Sequence, residues 1–183
     1  MSNARTRNLV LSALFLALCL LLPFLTGQIP QIGQMLSPMH IPVFLCGFVC
    51  GWPYALAVGF VAPLLRNLLF HMPPLFPTGV SMAFELATYG VVAALMYRKL
   101  PGKPVLRIYG ALLTSMVAGR IVWGLVRLAI AGLTASSFTF QAFLSGAVLT
   151  ALPGIVCHLI LVPLIVLALE RAHLIGQARR SEQ

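Results

Sequence analysis

A chain of 183 residues that is 60% hydrophobic and 8% charged is not an ordinary soluble domain, where about a quarter of residues carry charge. The net charge of +9 does not mark a nucleic-acid binder either. Its Lys and Arg flank apolar runs, the placement that reports orientation in a membrane protein.

The punctuation predicts an all-α integral membrane protein of six transmembrane helices in one membrane domain, residues 1–183. The first helix covers residues 8–25. No small-residue cleavage site with a polar sequence follows it, so a retained helix is expected, not a signal peptide. A connector bearing Gly and Pro follows at 28–39. The second helix, 41–52, opens with Pro42 in its first turn, where a missing N–H does no harm. It is short against the 17–25 or so apolar residues that a span needs, and short spans often border binding sites in transporters. The third helix covers 53–70 and stops at His71-Met72-Pro73-Pro74. The fourth covers 77–97, the fifth 106–133 and the sixth 140–169.

Arg5, Arg7, Arg98, Lys99, Lys103, Arg107, Arg171, Arg179 and Arg180 fall on one side of a six-span chain. The positive-inside rule makes that side, and both termini, cytoplasmic. The expected location is a cell membrane, crossed several times.

Against this background four charges stand inside apolar sequence: Arg66, Glu85, Arg120 and Arg127. Charge at membrane depth costs roughly 2.5–3.5 kcal/mol per side chain on insertion scales and is normally retained for function. One part of the set is accounted for if Glu85 pairs with one arginine and the others reach the interface. One carboxylate cannot neutralise three guanidiniums, and the excess suits a carboxylate or phosphate held bidentately. With the expected topology, all four lie in the outer half or near mid-membrane. Positions 120, 123, 124 and 127 share a helix face, so Arg120, Trp123, Gly124 and Arg127 form a stripe. The candidate substrate-binding set is Arg66, Asn67, His71, Glu85, Tyr89, Arg120, Trp123 and Arg127, with Gln141 as a further neutral donor. Packing accounts for Trp123 and solvation for His40 and His71 equally simply, and His158, alone in the last helix, reads as a hydrogen-bonded packing residue.

Cys19, Cys46, Cys50 and Cys157 lie in apolar segments with no redox or zinc spacing, and Asp is absent. No metal or cofactor site is expected. There is no phosphate-binding loop of the G-x-x-x-x-G-K-[ST] type, so energy for concentrating a solute must come from a partner or an ion gradient. No candidate nucleophile has a recognisable motif, and the chain is expected not to be an enzyme. Ala13 and Ala17, in A-L-F-L-A, form a small-x-x-x-small pair that permits close helix approach, as do Gly47 with Gly51 and Ala83 with Ala87.

Several runs resemble one family: 38–43 with Cys46-Gly47-Phe48 and Gly51-Trp52, then 63–66, 72–78, 82–90 and 118–124. With six helices and the first-helix A-x-x-x-A, they look like the substrate-binding S component of an energy-coupling factor (ECF) vitamin transporter, most like its pantothenate branch. The resemblance implies a solute-binding subunit working with a coupling membrane subunit of the EcfT type and two cytoplasmic ATPases. Ala13 and Ala17 match the motif that packs on the coupling subunit, and 28–39 matches the loop that lids the pocket. The expected ligand is an anionic vitamin or precursor, first pantothenate, whose carboxylate suits the arginines and whose hydroxyls suit Asn67, Tyr89 and Gln141. Folate, lipoate and riboflavin stay open as substrates. Two rival classes are an intramembrane enzyme on a lipid head group, with His71 or His40 and Glu85 as acid and base, and a self-sufficient secondary transporter.

Overall fold

The computed structural model describes residues 2–26, 35–134, 139, 141, 143, 145 and 150–172. The described residues form helices and turns, with no strand among them. In chain order the helices are α1 (Ser2–Leu21), continued by a 3-10 turn (Leu22–Thr26), α2 (His40–Cys50), α3 (Trp52–Phe70), α4 (Val80–Lys99), α5 (Pro104–Thr134) and α6 (Leu152–Arg171). An irregular turn, Leu75–Gly79, leads into α4, and Phe76 within it is extended (φ −123°, ψ 131°).

Among the described residues, five helical stretches are long and apolar enough to cross a membrane: Ala4–Leu25, Trp52–Phe70, Leu75–Lys99, Pro104–Thr134 and Leu152–Arg171. Their outer faces fit hydrocarbon. On α5, Leu113, Val117, Ile121, Leu125 and Leu128 recur at three- and four-residue spacing and are all exposed, as are Leu152, Val156, Ile160 and Leu164 on α6. Continuous apolar stripes of that length need an apolar partner, which a bilayer provides. The chain is a multi-pass membrane protein.

The exception in length is α2, and its burial explains why. At 1.5 Å per residue it is about 16 Å long, roughly half a bilayer core. Ten of its eleven residues are buried, all but Ile41. A helix that is apolar all round and enclosed by others does not have to match the lipid thickness. Helices α1, α3, α4 and α6 all pack on it.

The second hub is α4, which packs on α2, α3 and α5. Small residues let the backbones meet. A Cβ on Gly59 of α3 would lie 2.6 Å from the Leu86 carbonyl of α4, and one on Gly47 of α2 would lie 2.7 Å from the Gly90 carbonyl. Both obstacles are backbone and cannot rotate away. Gly59→Ala should therefore push α3 off α4 and cost about 1–3 kcal/mol, the usual range for overpacking. Thermal melting of the purified protein checks this, and an unchanged midpoint would contradict the packing.

Successive helices run in opposite directions, as the contacts at the two ends show. At one end the Tyr97 hydroxyl of α4 donates to Glu170 of α6, while Arg107 of α5 donates to the Tyr97 carbonyl at 2.8 Å and lies 4.5 Å over its ring. At the other end, Cys19 of α1 lies 3.5 Å from the Met39 carbonyl at the start of α2, and Phe24 packs edge-on against Phe70 of α3. All four cysteines are free.

One helix boundary differs from the expectation, and the expected lid is only partly described. The last helix starts at Leu152, not at 140. Pro153 has no N–H to give and its ring clashes with the preceding turn, so it belongs in a first turn and not mid-helix. The expected lid, 28–39, lies partly outside the described residues. Its described part, from Met35, presses on α6, where a Cβ at Gly154 would be 2.6 Å from the Met35 carbonyl.

Candidate functional site

Glu85 is 2% exposed, well inside α4. An isolated carboxylate there would be very costly, and three neighbours surround it. Tyr89, one turn further along α4, donates its hydroxyl to Glu85 Oε1 at 2.8 Å. Arg120 of α5 reaches the same oxygen with Nη1 at 2.9 Å. Its neighbour Gly119 makes that approach possible, since a Cβ there would sit 2.3 Å from the Tyr89 ring. The third neighbour is His40 at the start of α2, with Nε2 4.0 Å from Glu85 Oε1, beyond hydrogen-bond reach.

Aromatic rings fill the space around this cluster. The imidazole of His40 stacks on that of His158 from α6, with centroids 5.6 Å apart and planes at 23°. Tyr89 lies 5.3 Å from His40 and 5.0 Å from Phe44. Nε2 of His158 donates to the Ser37 carbonyl at 3.2 Å, tying α6 to the segment before α2. Ser37 itself has φ 46°, in the left-handed region, and lines the site.

Between these groups lies a cavity of about 20 Å³, lined among others by His40, Phe44, Tyr89, Met116, Arg120 and His158. That is room for about one water, against the 300–1,000 Å³ or so of pockets that hold drug-sized molecules. A vitamin-sized solute enters only if a wall moves. The wall carrying Ser37 is tied to α6 by the hydrogen bond from His158 to the Ser37 carbonyl.

Of the eight residues expected to bind substrate, Tyr89 and Arg120 line this cavity, and Glu85 lies directly behind them. The expected stripe is present. The Arg120 and Arg127 guanidiniums lie 6.0 and 5.8 Å from the Trp123 ring, and Phe143 flanks that ring at 6.0 Å.

The other three lie apart. Arg66 donates through Nη1 to the Leu20 carbonyl at 2.6 Å, between the rings of Phe24 and Phe70 at 5.3 and 5.4 Å. Leu20 is in the last turn of α1, where carbonyls lack helical partners and a cation is favoured. Asn67 donates to the Pro73 carbonyl at 2.8 Å and its own carbonyl accepts from His71 N–H. His71 ends α3 with φ 56° and is exposed. Gln141 is exposed as well. Sequence reasoning left the roles of His40 and His158 open, and no local pattern announced that these two histidines would stack.

Two features bear on partners and on chemistry. Ala13 and Ala17 are both exposed, on one face of α1. Among the described residues no group of three His, Cys, Asp or Glu side chains is placed to hold a metal ion.

The family model for the substrate-specific component of ECF transporters matches residues 7–166, most of the chain and the whole of the cluster around Glu85. No curated protein and no solved structure matches the chain. Members of that family are transporter subunits and not enzymes. An all-helical, multi-pass chain with an enclosed polar cluster agrees with the match, and the chain belongs to the ECF transporter substrate-specific components.

Proposed function

We propose that this chain captures an anionic vitamin or vitamin precursor, pantothenate first, from outside the cell. It then presents the solute to an EcfT-type coupling subunit driven by two cytoplasmic ATPases. The observation that carries the reading is the Arg120–Glu85–Tyr89 cluster behind an aromatic-walled cavity. The cavity lies at the end of the bundle opposite Arg98, Arg107 and Arg171. Taking those basic ends as cytoplasmic by the positive-inside rule puts the cavity on the outer side and both termini inside, with six crossings in a single membrane domain of a bacterial plasma membrane.

Arg66 is engaged by a backbone carbonyl and two rings and does not line the cavity, so it is not among the cationic groups of the site. Arg120 lines the cavity, and its guanidinium suits a solute carboxylate. The segment 28–39 is proposed as the lid and Ala13 with Ala17 as the face that meets the coupling subunit.

The discriminating experiment is uptake of labelled pantothenate by cells that make this chain with or without an EcfT-type subunit and its two ATPases. Accumulation is expected only with all partners present, while the purified chain alone binds one molecule. Accumulation by the chain alone would instead establish a self-sufficient transporter.

A further inference from the structure

The site contains one polar side chain whose hydrogen bonds are unmade. His40 is 4% exposed, and both its ring nitrogens are buried without a partner. Buried polar atoms are nearly always satisfied, so each exception calls for an explanation. None of the groups facing His40 supplies one. From α4, Glu85 Oε1 is 4.0 Å away and already accepts from Tyr89 and Arg120. Tyr89 spends its hydroxyl proton on Glu85, and His158 from α6 directs its Nε2 to the Ser37 carbonyl. Yet the imidazole is not loose. It is stacked on His158 and packed against Tyr89, so its direction is fixed before any ligand arrives. It also lines the cavity that Arg120 lines.

We infer that His40 is a specificity-determining residue that hydrogen-bonds a neutral hydroxyl or amide of the captured solute, while Arg120 takes its anionic group. Glu85, behind both, is a positioning residue that orients Arg120 and Tyr89 without touching the solute. The inference deepens the capture reading and rests on it. An imidazole with one ring N–H offers one donor and one acceptor, and a hydroxyl can meet either. The cavity has room for about one water, which can serve His40 until a solute hydroxyl takes its place. A site built this way selects against analogues that lack the hydroxyl, because the buried nitrogen is then left unpaired.

The test compares pantothenate with the analogue in which both its hydroxyls are replaced by hydrogen, titrated into the purified full chain. The readout is the ratio of the two affinities, which loss of folded protein does not change. The parent is expected to prefer pantothenate by about thirtyfold or more. In His40→Phe the ratio should fall below about threefold, and His40→Gln, which keeps a donor and an acceptor, should restore most of it. A ratio that survives His40→Phe overturns the role of His40. If the parent binds neither probe, the pantothenate reading fails by itself. His40 is then judged by native mass spectrometry of small molecules retained through purification. Loss of the retained molecule in His40→Phe and its return in His40→Gln support the role, and equal retention by parent and His40→Phe, or no molecule retained by the parent, overturns it.

Discussion

Arg120→Ala is expected to weaken pantothenate binding at least about a hundredfold. Removing one partner of a buried charged pair typically costs about 3–5 kcal/mol, and each 1.4 kcal/mol is a factor of ten. Part of that cost falls on the fold, because Glu85 is left buried with Tyr89 as its main partner. The double variant Arg120→Ala/Glu85→Gln separates the two effects. Its neutral amide no longer needs a cation and can still accept from Tyr89, so the melting temperature should recover while affinity does not. Arg120→Lys should restore affinity only in part, since an ammonium lacks the planar fork. Titration with a melting curve for each variant reads both quantities. Binding within threefold of the parent in a folded Arg120→Ala would make Arg120 structural. Arg66→Ala provides the contrast: it should lower the melting temperature by freeing the end of α1, with little change in affinity.

Ala13→Trp and Ala17→Trp are expected to abolish uptake in cells while leaving solute binding by the isolated chain intact. Both side chains are exposed, so a larger residue has space in the free subunit and the fold tolerates it. A helix that must approach another closely does not tolerate bulk at the contact, where small residues let backbones meet. The effect belongs to the complex and not to the solute site, which involves α2, α4, α5 and α6. Uptake assays in cells, paired with titration of the purified variants, separate the two. Normal transport by both variants would remove α1 as the docking face.

How far the sequence could be read depends on the distance over which each feature is encoded. Apolar runs and their basic flanks are local, and they led to an all-helical membrane chain. The Arg120, Trp123, Arg127 stripe follows from helix periodicity alone and reappears around the Trp123 ring. That Glu85 could pair with one arginine was legible from the scarcity of acids in apolar sequence, but not that the arginine is Arg120.

Arg66 was misplaced because its partner is a backbone carbonyl, and every residue has one of those. The roles of His40 and His158 stayed open for a different reason. The hydrogen bond from His158 to Ser37 joins residues 121 apart, and only the way α2 is enclosed by its neighbours brings them together. The start of α6 was legible in principle, since Pro153 and Gly154 carry a helix-start signal that apolar continuity overrode.

Native mass spectrometry of the purified chain after incubation with pantothenate tests solute capture most directly. The expected spectrum shows one pantothenate per chain, absent from Arg120→Ala/Glu85→Gln. A chain that stays unliganded, and that shows no melting shift with pantothenate, folate or lipoate, would contradict the capture of an anionic vitamin at this site.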